Sequence, residues 1–254
     1  MKLEPLLNLI RTGEMTRTLA IFGYGPGLGV GTARRFGKEG FRVAVVGRDG
    51  EGANRNAERL RAEGIEAAAF TADITDAREL QTAVDDITAT LGPIDVAMHG
   101  AAADPSARTP STLEVDVAAL AVPIALKLHS PILLTRALAP AMIERGDGAL
   151  LFSSGSSERH LLPYLANFGI VLAAQRAYVR QLHAELEGTG VYVGLLNIGA
   201  LIGNSKAERM VDEHPELVPP GVEIPRITND ELGEHYWRMY TERVHDELDV
   251  GFPA

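Results

Sequence analysis

The chain has 254 residues, of which 46% are hydrophobic and 23% charged, close to the average for a globular protein. Its formal net charge of −10 argues against a nucleic-acid partner and against binding to an anionic membrane surface. The chain contains no cysteine, which excludes disulfides, thiolate nucleophiles and cysteine-based metal sites. A thiol-free composition also suits the reducing cytoplasm, where we expect the protein to act.

Two segments decide whether a targeting or membrane-spanning sequence is expected. Residues 1–15 contain Glu4 and Pro5, which interrupt any apolar stretch, and we interpret them as a short N-terminal extension. The longest uninterrupted apolar run, Val117–Leu126, covers ten residues, whereas a bilayer requires roughly 20. We therefore predict no membrane partner and a single domain over residues 16–254.

Short apolar runs alternate with helix-length segments from Thr18 onward. Six runs bounded by Gly, Pro or charged residues are predicted as buried parallel strands: Leu19–Phe22, Val43–Val46, Ala67–Phe70, Ile94–Met98, Ala149–Phe152 and Val191–Leu196. Helical periodicity lies between them, for example over Ala53–Glu63 and over Ala77–Leu91, which Thr75 or Asp76 would cap. This alternation predicts βαβ units and one doubly wound α/β domain, with a parallel sheet of about seven strands and the pocket at their carboxyl ends.

The segment after the sixth predicted strand differs from the alternating strands and helices that precede it. Ala200–Arg226 contains several prolines and is long for a connection between ordered elements, which favours a mobile flap over a pocket (residues 200–226). The alternative is an acidic, solvated surface. Beyond it, Asn229 is predicted to cap a final helix, Asp230–Arg243.

A glycine-rich turn carries the strongest functional signal. The strand Leu19–Phe22 runs into five glycines within nine residues, from Gly23 to Gly31, and then into the helix Thr32–Glu39. Glycine permits positive φ and lets the backbone approach a pyrophosphate closely. The helix that follows directs its free N–H groups and positive dipole end at the same pyrophosphate. The turn therefore predicts dinucleotide binding on a Rossmann-type domain.

The spacing Gly23-x3-Gly27-x-Gly29 resembles the short-chain dehydrogenase/reductase family. The resemblance extends over most of the chain, through Asp73-Ile74, His99-Gly100-Ala101-Ala102, Met142–Gly148, Ser153-Ser154 and Asn197-Ile198-Gly199. It implies these cofactor contacts: Gly23, Gly27, Leu28, Gly29, Arg48, Asp73, Ile74, Gly100, Ala101, Gly199 and Leu201. It also implies a homodimer or homotetramer formed through the long helices Thr112–Ile143 and Pro163–Glu187, whose apolar faces must also cover the sheet.

The end of the second strand bears on which nicotinamide cofactor binds. An acid at the strand tip would bind the ribose 2′-hydroxyl and repel a 2′-phosphate. Here the tip is Gly47, and the planar cation Arg48 follows it. We therefore expect NADP(H) to be preferred over NAD(H). The alternative is that Asp49 turns inward and accepts the ribose hydroxyls, with Arg48 an ordinary surface charge.

The catalytic pattern departs from the family. The resemblance implies hydride transfer between nicotinamide and a carbonyl or alcohol, with a proton-handling tyrosine and a lysine four residues later. Phe168 and Leu172 occupy those two positions, Lys127 falls near the family's asparagine, and the serine is Ser154 or Ser156. None of the four lysines follows a tyrosine by three to seven residues. Since phenylalanine and leucine transfer no protons, the family's mechanism cannot be carried over.

Other residues are candidates for the missing roles. Tyr164 lies one helical turn before Phe168, and together with Lys127 it would rebuild a phenol–ammonium couple. The alternative is that Tyr164 packs at the helix start and Lys127 lies on a helix flank. His160 is the second candidate proton donor. His99 is expected to fill a half-buried corner of the crevice, and no histidine has metal-binding spacing, so we predict no metal site.

These observations predict an atypical NADP(H)-binding oxidoreductase acting on a small or mid-sized carbonyl or alcohol. Two alternatives remain open. One is a nucleotide-binding sensor or partner subunit without hydride chemistry, and the other is a non-redox enzyme that uses the same pocket.

Overall fold

A parallel sheet of seven strands forms the centre of the molecule. The structure, a computed structural model, describes residues 16–102, 104, 109–159, 162–218, 221 and 223–252. The strands are β1 (Thr18–Phe22), β2 (Arg42–Gly47), β3 (Ala67–Thr71), β4 (Ile94–His99), β5 (Gly148–Gly155), β6 (Val191–Ile198), β7 (Leu201–Ile202), β8 (Arg226–Ile227) and β9 (Glu247–Val250). Their order in the main sheet is β3-β2-β1-β4-β5-β6-β9, and β7 pairs with β8 separately. The predicted doubly wound α/β domain is confirmed.

Helices cover both faces of this sheet. They are α1 (Leu28–Lys38), α2 (Gly50–Ala62), α3 (Ala77–Leu91), α4 (Val117–Ile124), α5 (Ser130–Arg145), α6 (Ala166–Glu185), α7 (Lys206–Glu213) and α8 (Asn229–Glu242). One apolar cluster packs under α1, α2 and α8, and a second packs under α3, α5 and α6. Because both faces are covered, every residue of β1 is buried, as the apolar run Leu19–Phe22 predicts.

The seventh strand of the main sheet, β9, is one element that the sequence does not locate. In β9 the acids Glu247 and Asp249 alternate with Leu248 and Val250, a pattern more polar than that of a buried strand. The strand nevertheless pairs with β6 at the edge of the sheet. Its two carboxylates accept hydrogen bonds from the side chain of Asn197 on β6, which compensates for their position.

Two helix starts differ from the prediction. The first helix begins at Leu28 rather than Thr32, so two glycines of the turn lie within it. The last helix is capped by Thr228 rather than Asn229: the Thr228 hydroxyl accepts the N–H of Glu231, whose carboxylate in turn accepts the Thr228 N–H. Asn229 instead donates its side-chain N–H to the carbonyl of Pro26 at 3.4 Å.

A π-helical turn, Ala125–His129, joins α4 to α5. The cause is local, because Pro131 has no N–H to offer the carbonyl of Lys127 and its ring crowds that carbonyl. The Ser130 hydroxyl also donates to the carbonyl of Leu126 at 2.9 Å. The π-helical geometry places Lys127 on a widened turn that faces the interior.

The continuous helix Val117–Arg145 is long and apolar enough to cross a membrane by length and composition. Its most apolar window has a mean hydropathy of 1.8, and 28% of that window is buried. The prediction from uninterrupted runs misses this because Lys127 and His129 interrupt the apolar sequence. In the structure, one face of the helix packs on the sheet through residues such as Leu134 and Met142, which accounts for part of the apolar composition.

The predicted flap, residues 200–226, contains regular structure. It comprises β7, α7 and β8, with β7 and β8 paired in parallel. Ser205 caps α7 by accepting the N–H of Glu208. The predicted extension, residues 1–15, lies outside the described residues.

Candidate active site

A cavity of about 550 Å³ opens at the carboxyl ends of the strands, where the sheet order reverses between β1 and β4. Most of the residues predicted to bind cofactor or to act in catalysis line it: Gly23, Gly27, Leu28, Gly29, Arg48, Asp73, Ile74, Gly100, Ala101, Leu201, Lys127, Ser154, Phe168 and Leu172. Gly199 does not line it and packs against Phe252 instead. The fold therefore brings most of the predicted cofactor-binding residues and several of the predicted catalytic residues to one cavity.

The glycine turn presents backbone to the cavity. Gly23 has a φ of +84°, and a Cβ there would stand 2.6 Å from Ala101. At Gly27, which precedes α1, a Cβ would stand 3.0 Å from the side chain of Ile202. No side chain caps α1; within the turn, the N–H of Val30 donates to the carbonyl of Gly25 at 3.3 Å, and the N–H groups of Leu28 and Gly29 precede it at the helix start. A diphosphate fits this cradle, because backbone donors and a positive helix end converge on it.

The side chains at the β2 and β3 tips differ in their availability. Arg48 is exposed and lines the cavity. Asp49 caps α2 by accepting the N–H of Glu51, so its carboxylate has a local structural role. Asp73 accepts the hydroxyl and N–H of Thr75 at 2.7 and 2.9 Å, and these bonds lower the pKa of its carboxyl. Asp73 is thus an ionised acceptor at the cavity wall.

Lys127 is the buried cation of the site. Its Nζ donates to the carbonyl oxygen of Ser153 at 3.2 Å and lies 3.4 Å from the Ser153 hydroxyl oxygen. No carboxylate forms an ion pair with it in the part of the chain that the structure describes. Burial therefore lowers the pKa of Lys127 to about 8, because the charged form is poorly solvated.

Two serines at the end of β5 have different roles. Ser153 donates its hydroxyl proton to the carbonyl of His99 at 3.2 Å and also contacts Lys127, so it is bound on both sides. Ser154 lines the cavity, and its buried hydroxyl has no hydrogen-bond partner among the described residues. A buried, unpartnered hydroxyl at a cavity wall can bind a polar atom of a ligand.

His99 is fully buried rather than half-buried. Its Nε2 lies 2.7 Å from the hydroxyl oxygen of Ser130, and its Nδ1 has no partner among the described residues. Burial, followed by the charge of Lys127, lowers its pKa to about 3. His99 is therefore neutral near pH 7, and it is not among the residues that line the cavity.

Phe168 and Leu172, which the sequence analysis places at the family's tyrosine and lysine positions, form an apolar wall. Both line the cavity from α6. Tyr164 lies in the short 3-10 turn before α6, is 44% exposed and does not line the cavity, so the structure does not bring its hydroxyl to Lys127. His160 and the side chain of Ser156 lie outside the described parts of the structure.

The rim of the cavity contains a contact that the sequence analysis did not identify. Lys206, the first residue of α7, pairs with Asp104 at 3.7 Å, and both residues line the cavity. The capping pattern from Ser205 to Glu208 was the available signal, since it places Lys206 at a helix start. Among the described residues there is no group of three or more His, Asp and Glu side chains that could hold a metal ion.

Comparison with known proteins identifies the family. Residues 17–213 match the family model described as short chain dehydrogenase. The chain is also 30% identical over 182 residues to 1-deoxy-11-beta-hydroxypentalenate dehydrogenase from Streptomyces exfoliatus, a match covering 71% of this chain and 66% of that protein, just under two thirds of its length. The chain belongs to the short-chain dehydrogenase family.

Solved structures share the fold. Gluconate 5-dehydrogenase from Burkholderia cenocepacia, in complex with NADP and tartrate, superposes with a TM-score of 0.78 at 22% identity, covering 92% of this chain and 93% of that one. A 3-oxoacyl-[acyl-carrier protein] reductase from Brucella melitensis with bound NAD has a TM-score of 0.78 at 21% identity, covering 93% and 90%. At these identities the likeness establishes the fold.

Proposed function

We propose that this protein is an oxidoreductase of the short-chain class with a non-standard catalytic site, acting on a small or mid-sized carbonyl or alcohol. The observation that carries the proposal is the placement of Lys127 and Ser154 in the same cavity as the glycine turn. NADP(H), when bound there, supplies or accepts the hydride. Ser154, whose hydroxyl has no hydrogen-bond partner among the described residues, polarises the substrate carbonyl.

The cofactor proposal is NADP(H) in preference to NAD(H). The β2 tip offers Arg48, a cation suited to a 2′-phosphate, and the acid that follows it is used as a helix cap. Gly23, Gly27 and the start of α1 would hold the diphosphate. The remaining contacts proposed are Leu28, Gly29, Asp73, Ile74, Gly100, Ala101 and Leu201, which line the cavity; Gly199, proposed from the sequence, does not line it.

The catalytic proposal departs from the family at Phe168 and Leu172, which stand where its tyrosine and lysine are expected. Neither side chain exchanges a proton. Of the four proposed catalytic residues, Lys127 and Ser154 are supported by their position in the cavity. The exposed position of Tyr164 does not support the couple with Lys127, and Ser156 remains a proposal from the sequence.

A second candidate function is nucleotide binding without hydride chemistry, as a sensor, a partner subunit or a non-redox enzyme. The apolar wall formed by Phe168 and Leu172 favours it, since that wall lies in the half of the cavity where proton transfer is expected. The two functions differ in one respect: only an oxidoreductase consumes the cofactor.

Two measurements on the purified protein test these functions. The melting temperature should rise with NADPH, since a ligand that binds only the folded state stabilises it. A panel of small aldehydes, ketones and β-keto esters, mixed with excess enzyme and NADPH, should then give a single-turnover loss of NADPH absorbance with at least one member. Binding without any loss would favour the second function, and no binding of either dinucleotide would contradict both.

We further propose a homodimer or homotetramer in the cytoplasm. Exposed apolar side chains on α4 and α6 support the assembly, with Val117 at 86%, Val122 at 61% and Ile170 at 49% exposure. Light scattering after gel filtration should give two or four times the 27.2 kDa of one chain. Residues 200–226 are proposed to act as the flap over this site.

A further inference from the structure

We propose that the Nζ of Lys127 itself exchanges the proton with the oxygen of the substrate, so that no tyrosine takes part in the reaction. This inference rests on the proposed oxidoreductase function and names the proton-handling group of the same site. Lys127 is the buried one among the three lysines in the described residues, since Lys38 and Lys206 are exposed.

The geometry holds Lys127 at the cavity wall with capacity to spare. An ammonium group has three N–H donors. The carbonyl and hydroxyl oxygens of Ser153 lie within reach of two of them, at 3.2 and 3.4 Å. No described residue accepts a hydrogen bond from the third, which leaves it for a ligand in the cavity that Lys127 lines. The next residue on the strand, Ser154, lines the same cavity, and its hydroxyl has no partner among the described residues, so it can also bind a ligand there.

The surroundings of Lys127 favour release of its proton. The strand β4 contributes His99, which is neutral, β5 contributes two serines, and α6 contributes the apolar Phe168 and Leu172. With no carboxylate paired to it in the described residues, burial alone lowers its pKa to about 8. An acid that titrates close to the working pH is an efficient general acid in one direction and base in the other.

The proton and electron balance is closed by these groups. In reduction, the carbonyl carbon gains a hydride from NADPH, and the carbonyl oxygen gains a proton from the Lys127 ammonium. The products are the alcohol, NADP⁺ and a neutral Lys127 amine, which regains its proton from solvent. Alcohol oxidation runs the same steps in reverse, with the neutral amine accepting the hydroxyl proton.

The other candidate donors are placed less favourably. Tyr164 is half-exposed outside the cavity. The Nε2 of His99 forms a hydrogen bond with the Ser130 hydroxyl. Because the pKa of His99 is lowered to about 3, its imidazole is neutral near pH 7 and cannot act as an acid there. A serine hydroxyl such as that of Ser154 can bind the substrate oxygen but is a weak acid, which leaves Lys127 as the proton donor.

The first test measures Lys127 directly in the wild-type protein. Reductive methylation with formaldehyde and cyanoborohydride modifies neutral amines, and peptide mass spectrometry reports each lysine as a function of pH. We expect a midpoint near pH 8 for Lys127, well below the ordinary lysine value of about 10.4. Saturating NADP⁺ with a product alcohol should protect Lys127 but not the exposed Lys38. A Lys127 midpoint at the ordinary lysine value, or a Lys127 that resists methylation at every pH, would overturn the inference.

The second test compares single-turnover rates of NADPH oxidation. Lys127→Met should lose at least about 100-fold, the usual scale for a lost general acid. Lys127→Arg should also lose activity, because a guanidinium keeps its charge but does not release a proton. Lys38→Met is the matched control and should keep the wild-type rate. The wild-type rate should fall as pH rises above about 8, and each variant's NADPH-induced rise in melting temperature verifies that it is folded.

The outcomes separate this inference from the proposed function. If the wild type oxidises NADPH and Lys127→Met does so equally fast, Lys127 is not the proton donor, while the oxidoreductase function stands. If Tyr164→Phe loses as much activity as Lys127→Met, the phenol takes part and the inference is wrong. If the wild type binds NADPH but transfers no hydride to any carbonyl, both the function and the inference fall.

Discussion

The carbonyl oxygen of Asn229 occupies the space where a side chain on Gly31 would begin, since a Cβ on Gly31 would stand 1.7 Å from it. A Cβ on Gly233, one turn further along α8, would likewise stand 2.4 Å from the carbonyl oxygen of Gly31. The fifth glycine of the turn is therefore required by the crossing of α1 and α8 rather than by a ligand.

This contact predicts that Gly31→Ala destabilises the protein without touching the cavity. The two helix backbones must separate, which we expect to cost about 3 kcal/mol or more and to lower Tm by roughly 6–12 °C. Gly25→Ala is the control, because no atom lies within 4 Å of the Cβ it would add. A Gly31→Ala protein that melts with the wild type would show that α1 and α8 do not cross this closely.

The position of Arg48 at the cavity wall predicts that the protein binds NADPH in preference to NADH. Replacing Arg48 with alanine would remove the proposed charge-assisted contact to the 2′-phosphate, and such contacts are worth about 1.5–3 kcal/mol. We expect the Kd for NADPH to rise about 10- to 100-fold while the Kd for NADH is unchanged, measured by calorimetry. Arg55→Ala, an exposed arginine on α2, should leave both constants unaltered. Equal losses for the two cofactors would mean that Arg48 does not recognise the phosphate.

The buried charge of Lys127 predicts an unusual dependence of stability on pH. Its pKa is about 8 in the folded state against an ordinary value of 10.5. Between these values the unfolded chain binds more protons, so the contribution of Lys127 to stability rises as pH increases from about 8 to 10.5. Lys127→Met should therefore be more stable than the wild type at pH 7, by up to about 3 kcal/mol.

Urea unfolding at pH 7 and pH 10 measures that difference, which should shrink at the higher pH. Lys38→Met, on the exposed side of α1, should show no such gain. If Lys127→Met were destabilising at pH 7, the ammonium would be better solvated than its burial indicates.

The lowered pKa of Glu247 predicts a dependence of stability on pH in the acid range. Burial opposes its ionisation, but hydrogen bonds from Arg176, Asn197 and Arg159 outweigh burial and lower its pKa to about 2. The stabilisation is present above the ordinary value of 4.5 and is lost as pH falls through about 2. Because both arginines are partly exposed, we expect Glu247→Gln to cost only about 1–2 kcal/mol at pH 7.

Urea titrations from pH 7 to pH 2 check this, since the gap between Glu247→Gln and the wild type should narrow as the pH falls. A matched removal of an exposed carboxylate, Glu51→Gln on α2, should alter stability little. A gap that stays constant down to pH 2 would contradict the low pKa.

How far the sequence predicts the structure depends on whether a feature is local. Asp76 caps α3 by accepting the N–H groups of Arg78 and Glu79, as local chemistry predicts. The position of Lys127 beside the cavity also follows from chain order. The direction of Tyr164 does not, because the 3-10 turn Pro163–Leu165 breaks the helical register that would place it one turn before Phe168.

The sequence does not predict features that depend on residues far away along the chain. The strand β9 has a polar pattern that makes sense only once the arginines Arg159 and Arg176 are beside it. The burial of His99 likewise depends on Ser130, 31 residues away, on a helix whose π turn is set by Pro131. Periodicity within a segment carries no information about such pairings.

The hydrogen bond from the Asn229 side chain to the carbonyl of Pro26 joins the glycine turn to a helix 203 residues further along the chain. A dinucleotide bound at the turn would reduce the mobility of both the turn and the start of α8. Amide hydrogen exchange in the opening turn of α8 should therefore slow when NADPH is added, giving a report on occupancy that needs neither a substrate nor turnover.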